Sequence, residues 1–453
     1  MGLKILSLNG ILGYGYAEVS LKNGLNEDPD VIGVDAGSTD PGPYYLGAGT
    51  SFTSKAGVKR DLELALPEAV ERGIPFIIGT AGGSGGEPHI EWNRRIIEEI
   101  AREKGLRFRM AVIHSEIGKD YLKGKIRRGE VKPLGPIKEL EERDVDEAVR
   151  IVGQMGSTPY IEALKGGAEV ILAGRSCDTA IFAALPLMKG YDPGLVWHMA
   201  KIIECGAMCA TPGSAADSIM AYLERDHFLL KPLNPIRKCV PVSVAAHTLY
   251  EQPDPYYIYE PDGMMDLSQS KFEQYDERTV KVSGSKFIPS EGIWRIKLEG
   301  VKMSGYRTIS IAGVRDPIMI SRIEEVTRAV EEITREDLKG KFHPGDYRLH
   351  FRIYGKNGVM GEMEPLDSKA HELCIIIEAI AKTKEMADAV CAVARSTMLH
   401  YHYEGRKATA GNLAFPYSPS DISMGPTYAF NIYHLVEVKN PSEPFPIEYV
   451  DVR

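Results

Sequence analysis

Three stretches of this sequence repeat one order: an apolar run, an abrupt cluster of glycine with small polar or acidic residues, then a helical pattern. They are VIGVDAGSTDPGP (residues 31–43), PFIIGTAGGSGGEPH (75–89) and VILAGRSCDTA (170–180). An apolar run that does not alternate suits a strand buried on both faces, as in a parallel sheet. A glycine cluster between such a strand and a helix is the corner that a repeating βα unit needs. Ligands of open parallel sheets bind where such corners converge, at the carboxyl ends of the strands.

Five apolar runs read as strands: 4–10, 30–37, 74–80, 108–115 and 168–175. Helical patterns lie between and after them, at 58–73, 89–105, 147–167, 179–190, 194–206 and 214–226. This alternation predicts an α/β fold with a doubly wound, mostly parallel sheet. Near residue 230 the character shifts to shorter, β-branched or aromatic segments, and QPDPYYIYEPDGMMDL (252–267) reads as an irregular excursion broken by Pro and Gly. Further on, 307–313, 321–334, 347–355, 371–381 and 384–400 read β, α, β, β, α, the start of a ferredoxin-like unit. The expected organisation is therefore an α/β domain over residues 1–230 and a smaller α+β, ferredoxin-like domain over 231–453.

At 453 residues the chain exceeds what one hydrophobic core organises, which also favours more than one domain. Its net charge of −9 argues against a nucleic-acid partner, because phosphate-backbone affinity needs clustered Lys and Arg. The densest basic stretch, KGKIRRGEVK (123–132), reads as a solvated helix end, with a phosphate clamp for a nucleotide or coenzyme A as the alternative. No apolar run has the length of a membrane span and the N-terminus has no leader pattern, so no membrane and a cytoplasmic location are expected. Six cysteines in such a chain do not make a disulfide framework, and the CGAMC pair, Cys205 and Cys209, lacks a second pair to complete a zinc site.

VDAGSTDPGPYYLG, GTAGGSGGEPH, GQMGSTPYIEAL, LAGRSCDTAIFAA and HTLYEQPDPY together resemble the acyclic terpene utilisation AtuA family over nearly the whole chain. The resemblance implies an α/β protein of the catabolism of carboxylic acids and their thioesters. It also implies a small ferredoxin-fold companion, which some relatives carry fused. No such extension follows here, so a separate companion and a homo- or hetero-oligomer are expected. The family implies no particular catalytic residue.

Candidate chemistry therefore comes from the residues themselves. Asp35 and Asp40 flank Ser38 and Thr39 on a glycine-permitted loop, able to bind a divalent cation such as Mg or to share a proton; the alternative is an Asx turn. Thr80, Gly82, Gly83, Ser84, Gly85 and Gly86 precede a helix, where exposed amides can receive a carboxylate or phosphate, or simply make a tight turn. The loop lacks the GK[ST] ending of a P-loop. Glu87 and His89 start that helix and are candidates for acid and base or for metal ligands, though Glu87 also simply suits the helix dipole; His114 stands with Glu116 at the same sheet edge after the fourth strand, and suits either proton transfer or a hydrogen-bonded structural role. Arg175 can pin a substrate carboxylate, Ser176 and Cys177 can contact it, and Asp178 is either catalytic or a helix cap. Cys177 at a helix start is a candidate nucleophile or a small buried thiol. His247, Tyr250 and Glu251 can reach the cleft from the second domain, whereas Asn412 and Ser418 favour turn roles.

Two functions follow as expectations. One is a lyase or hydratase acting on a small anionic substrate, a carboxylic acid or its acyl-CoA thioester, through Asp35, Glu87, His114 and Asp178. The other is a noncatalytic scaffold or ligand-binding subunit that works through its companion.

Overall fold

The computed structural model describes residues 2–37, 41–290, 292–367, 369–407 and 409–453. The chain divides into two compact units, Met1–Lys302 with Phe430–Arg453, and Met303–Ala429.

The first unit is built on a ten-stranded mixed sheet. At its centre lie five parallel strands in the order Leu3–Ser7, Val31–Asp35, Phe76–Gly79, Val170–Ala173, Phe108–Ile113. These are the five runs read as strands from the sequence. Antiparallel strands complete both sides: Ile219–Leu223 beside Leu3–Ser7, then His227–Pro232, Val280–Ser283 and Lys271–Gln274, with Ile447–Val452 on the opposite edge. The change of character near residue 230 thus falls inside one sheet, where parallel strands give way to antiparallel ones.

Alternate residues of the central strands feed two cores. Ile77, Ile171 and Ala111 join one, with helices Ser157–Lys165, Asp178–Met188 and Pro193–Ile203; Ile78, Leu172 and Val112 join the other, with Lys55–Arg72 and Glu87–Lys104. Both faces are covered, which is why these runs show no alternation of polarity. The helix leaving Phe76–Gly79 packs on one face and that leaving Val170–Ala173 on the other. These neighbouring strands therefore open a crevice of the kind in which α/β sheets place ligands.

Three segments depart from the sequence reading. The helix expected over 147–167 is a strand, Ala148–Gly153, then a helix, Ser157–Lys165; β-branched AVRIVG pairs with Leu298–Lys302, and Gly153 and Gly156 end the pattern. The helix expected over 214–226 is the strand Ile219–Leu223, whose short apolar run is satisfied by the ladder to Leu3–Ser7. The expected irregular excursion contains the hairpin Tyr257–Glu260 and Gly263–Asp266, joined by Lys286–Pro289.

The second unit holds the end of strand Trp294–Val314, helix Ile323–Asp337, strands Tyr347–Tyr354 and Leu373–Ala381, helix Lys384–His400 and the start of strand Asp421–Val438. The strands lie in the order Tyr347–Tyr354, Leu373–Ala381, Trp294–Val314, Asp421–Val438. Ile375, Ile377, Val326, Val330 and Val390 share its core.

Candidate functional site

The turn after strand Val170–Ala173 is the hub of the strand ends. Arg175 is buried; its Nε donates to Glu299 Oε2 at 2.9 Å, its Nη1 to the Ser176 carbonyl at 3.2 Å, and Asp178 Oδ1 lies 3.7 Å from Nη1. Lys297 Nζ reaches the other Glu299 oxygen at 2.8 Å. Burial alone would push Glu299 up, but the Arg175 and Lys297 cations overcome it and hold the carboxyl down to about 2. One carboxylate is thus shared by two cations.

Two aspartates approach this hub. Asp35, at the end of its strand, is 1% exposed; its Oδ2 accepts the Gly37 N–H at 2.9 Å, and its Oδ1 has no hydrogen-bond partner among the described residues. Burial, and then the charge of Asp178, raise its pKa well above the carboxylate range, against the pull of Arg175. Asp178 is the first residue of helix Asp178–Met188, and no side chain caps that helix, so the capping role does not occur. Its carboxyl is half-exposed, and burial of one oxygen raises its pKa against Arg175 and Lys201.

A third carboxyl was missed in the sequence. Glu260, on the hairpin, accepts from Thr179 Oγ1 at 2.7 Å and from Cys177 Sγ at 3.2 Å. Desolvation pushes its pKa up to about 7, with Thr179, Cys177 and Lys201 pulling the other way. Cys177 sits just before the helix, yet burial and the nearby Glu260 and Asp178 charges raise its thiol rather than lowering it. Cys177 and Glu260 line an open cavity of about 740 Å³, with Lys297 and Arg295 on its wall.

A Lys–Glu pair was also missed in the sequence. Lys201 and Glu204, both buried on helix Pro193–Ile203 and its C-cap, meet at 2.5 Å. Burial opposes the Lys201 charge, but Glu204 and Glu260 raise its pKa and keep it an ammonium. A lysine and a glutamate three apart in GLVWHMAKIIECG, a segment otherwise apolar but for His198, were the signal for it. His247 is buried, stacks on Tyr250 at 5.5 Å, and is lowered to about 4 by burial and Lys201. Glu251 acts electrostatically on Asp178.

The glycine loop packs against the hub. Thr80 has φ +44°, a left-handed backbone that β-branched residues rarely adopt; its N–H donates to the Gly174 carbonyl and its Oγ1 accepts from Ser176 N. Gly37 is needed opposite it, since a Cβ there would lie 2.0 Å from Thr80 Cγ2. Gly85, at φ +71°, touches the next strand's turn so closely that a Cβ would lie 2.0 Å from Arg175 N. The Gly83 and Gly85 amides bond back to Thr80 and Ala81 within the loop, and Ser84 N does the same. Gly82 packs on His89, and Gly86 caps helix Glu87–Lys104 by its backbone. Ser176 is buried, sharing Tyr160 Oη and the Gly174 carbonyl.

Glu87 and His114 come together in a separate, more exposed group. His114 Nδ1 lies 2.9 Å from Glu87 Oε2, Glu448 approaches its other nitrogen at 3.8 Å, and the Glu87 bond raises the imidazole pKa against burial. Glu116 accepts Glu87 N at 2.8 Å and Arg150 Nε at 2.7 Å, so the helix N-terminus already holds a carboxylate. His89 is buried, with Nε2 3.1 Å from the Tyr45 carbonyl, and burial lowers it to about 4.

Ser38, Thr39 and Asp40 lie outside the described residues. Among the described residues, no group of three or more His, Cys, Asp or Glu is placed to hold a metal ion. The basic stretch at 123–132 is tied to acids: Lys123 to Asp146, Lys125 and Arg128 to Glu130, and Arg127 to Glu142. No helix of the described residues is long and apolar enough to cross a membrane. Asn412, in the second unit, donates to the Met398 and Tyr401 carbonyls.

The molecule is thus a mixed α/β protein whose ionisable side chains gather at the carboxyl ends of parallel strands. The chain belongs to the acyclic terpene utilisation family AtuA, whose family model matches residues 52–217 and 237–419. No curated protein and no solved structure matches it.

Proposed function

We propose that this chain is a cytoplasmic catabolic enzyme acting on a small carboxylic acid or its acyl-CoA thioester by lyase- or hydratase-type proton transfer. The observation that carries the reading is Asp178: a half-exposed carboxyl with a raised pKa, beside buried Arg175 and within the field of Asp35, where parallel strands end. A carboxyl whose pKa is raised toward the working pH serves as a general acid or base. Arg175 stabilises negative charge developing on a carbonyl nearby. Coenzyme A enters only as part of the substrate, and the Glu87–His114 pair lies outside this centre.

The test works whichever product forms. Short carboxylates and their CoA thioesters are incubated with the protein in D₂O, and deuterium entering beside the carbonyl is followed by mass spectrometry. Loss of Asp178 as acid or base costs about a hundredfold or more, so Asp178→Asn is expected to suppress exchange by that factor. Unchanged exchange in both Asp178→Asn and Asp35→Asn removes the site assignment.

A second reading, a noncatalytic subunit working with a small ferredoxin-fold companion, draws support from Val359, Met363 and Leu366 of the second unit, 84%, 78% and 73% exposed. The strand order of that unit, with the first and third strands adjacent at the centre, supports reading it as ferredoxin-like.

A further inference from the structure

The sheet of the second unit is covered on one face only. Leu373, Ile375, Ile377 and Ala379 turn to helices Ile323–Asp337 and Lys384–His400, as do Tyr347 and Leu349 of the edge strand. The residues between them point the other way. A one-sided antiparallel sheet ordinarily carries polar residues on its free face. Here that face carries Ile309 and Ile311 of one strand and Ile376 and Ile380 of its neighbour. Ile422 and Met424 of strand Asp421–Val438 extend it, since Asp421 is held on the helix side by Arg395 at 2.8 Å. The isoleucines are half-buried and Met424 is 51% exposed, yet none of the six joins a hydrophobic core.

Cations flank this apolar strip. The register sets Arg348 and Arg307 on either side of Ile380, and Arg352 beside Ile376. Glu378 is buried between two of them, with Arg307 at 2.6 Å from one oxygen and Arg352 at 2.6 Å from the other. Arg348 is exposed and pairs with no acid among the described residues. At the ends of the face the charges cancel: Lys382 meets Asp346 at 2.5 Å, and Arg315 and Glu372 line one cavity. With these acids counted, three guanidinium groups stand against the single carboxylate of Glu378.

We infer that this face docks an acidic amphipathic helix of a partner protein, its apolar stripe on the isoleucines and its carboxylates on Arg348, Arg352 and Arg307. Four strands about 4.8 Å apart, with side chains of one face repeating about every 6.8 Å, give a strip about 14 Å wide and 20 Å long, the footprint of one helix of about three to four turns. Such a helix supplies the second covering layer that this sheet lacks. A second copy of the chain, turned face to face, would set arginine against arginine instead. The inference is independent of the catalytic reading.

The probe is a fluorescein-labelled helical peptide of about 14 residues with a leucine stripe and glutamates elsewhere; its counterpart carries lysines in place of the glutamates. Anisotropy on the full chain is expected to show saturable binding of the acidic peptide, at least about tenfold tighter than the basic one and weaker when salt is raised from about 0.05 to 0.5 M. Arg348→Glu and, independently, Met424→Asp should each weaken it about tenfold; both positions are exposed and outside the cores, so the variants keep the fold. No saturable binding, equal affinity for the two peptides, or a Kd unchanged in either variant overturns the inference. So does a wild-type dimer in sedimentation that Met424→Asp splits, because the face then belongs to a second copy.

Discussion

The strand ends carry two groups of ionisable residues that differ in how their charges are answered. Around Glu87, His114, Glu116 and Arg150, each group faces a partner of opposite kind, and Glu87 is half-exposed. Around Asp35, Arg175, Asp178 and Glu260, Asp35 and Arg175 are buried, and burial first, then neighbouring acids, push three carboxyls upward against Arg175 and Lys201. Both groups have the composition expected of a catalytic site. Only the second stores the unbalanced desolvation that shifts protonation toward neutrality.

The largest test of this contrast is at the contact between the two groups. Gly85→Ala puts a methyl group into the Arg175 backbone at a left-handed φ, and is expected to cost more than about 4 kcal/mol in chemical denaturation. Should Gly85→Ala unfold at the wild-type midpoint, the loop is not held against the hub as described. Next in size are the ion pairs. Arg175→Met strips a buried partner from Glu299 and should cost about 3 kcal/mol, with Lys297 left to limit the damage, whereas His114→Gln should cost less than about 1 kcal/mol because water screens its pair. Equal losses in the two variants would erase the distinction between the groups.

The smallest effect is one of pH. Glu260 has a folded pKa near 7, above its ordinary 4.5, so the folded state holds the proton more tightly than the unfolded chain. Its contribution to stability is greatest below pH 4.5 and declines as pH rises toward 7, by at most about 1.4 kcal/mol per pH unit for one proton. In Glu260→Gln that part of the decline should vanish from denaturation curves taken between pH 5 and 7. An identical slope in wild type and variant would place Glu260 among ordinary, hydrated carboxylates.

Much of this was legible in the sequence, for a definite reason. Strands buried on both faces announce themselves as unbroken apolar runs, so VIGVD, FIIG and VILA could be found and their corners named. Asp35, Arg175 and Asp178 followed from standing at those corners. The purpose of the glycines was not legible: GTAGGSGG reads equally as an anion cradle or as a surface for close backbone contact, and only the approach of Gly85 to Arg175 shows the contact. Glu260 escaped because it arrives from a hairpin far along the chain, within a segment whose prolines concealed its strands. AVRIVG and SIMAYL escaped because a short apolar run satisfies either period until its partner strand is known.

The pairing of Ile447–Val452 with Phe108–Ile113 has a consequence for how the protein is made. During synthesis the inner flank of the sheet emerges early, while the strip that shields it is supplied only when translation has passed residue 452. Until then Phe108–Ile113 offers a bare row of amides and carbonyls to any neighbouring polypeptide. Nascent copies crowded on one messenger would meet at this seam, which makes it the place where overproduction should first yield insoluble material and where a chaperone would be most useful.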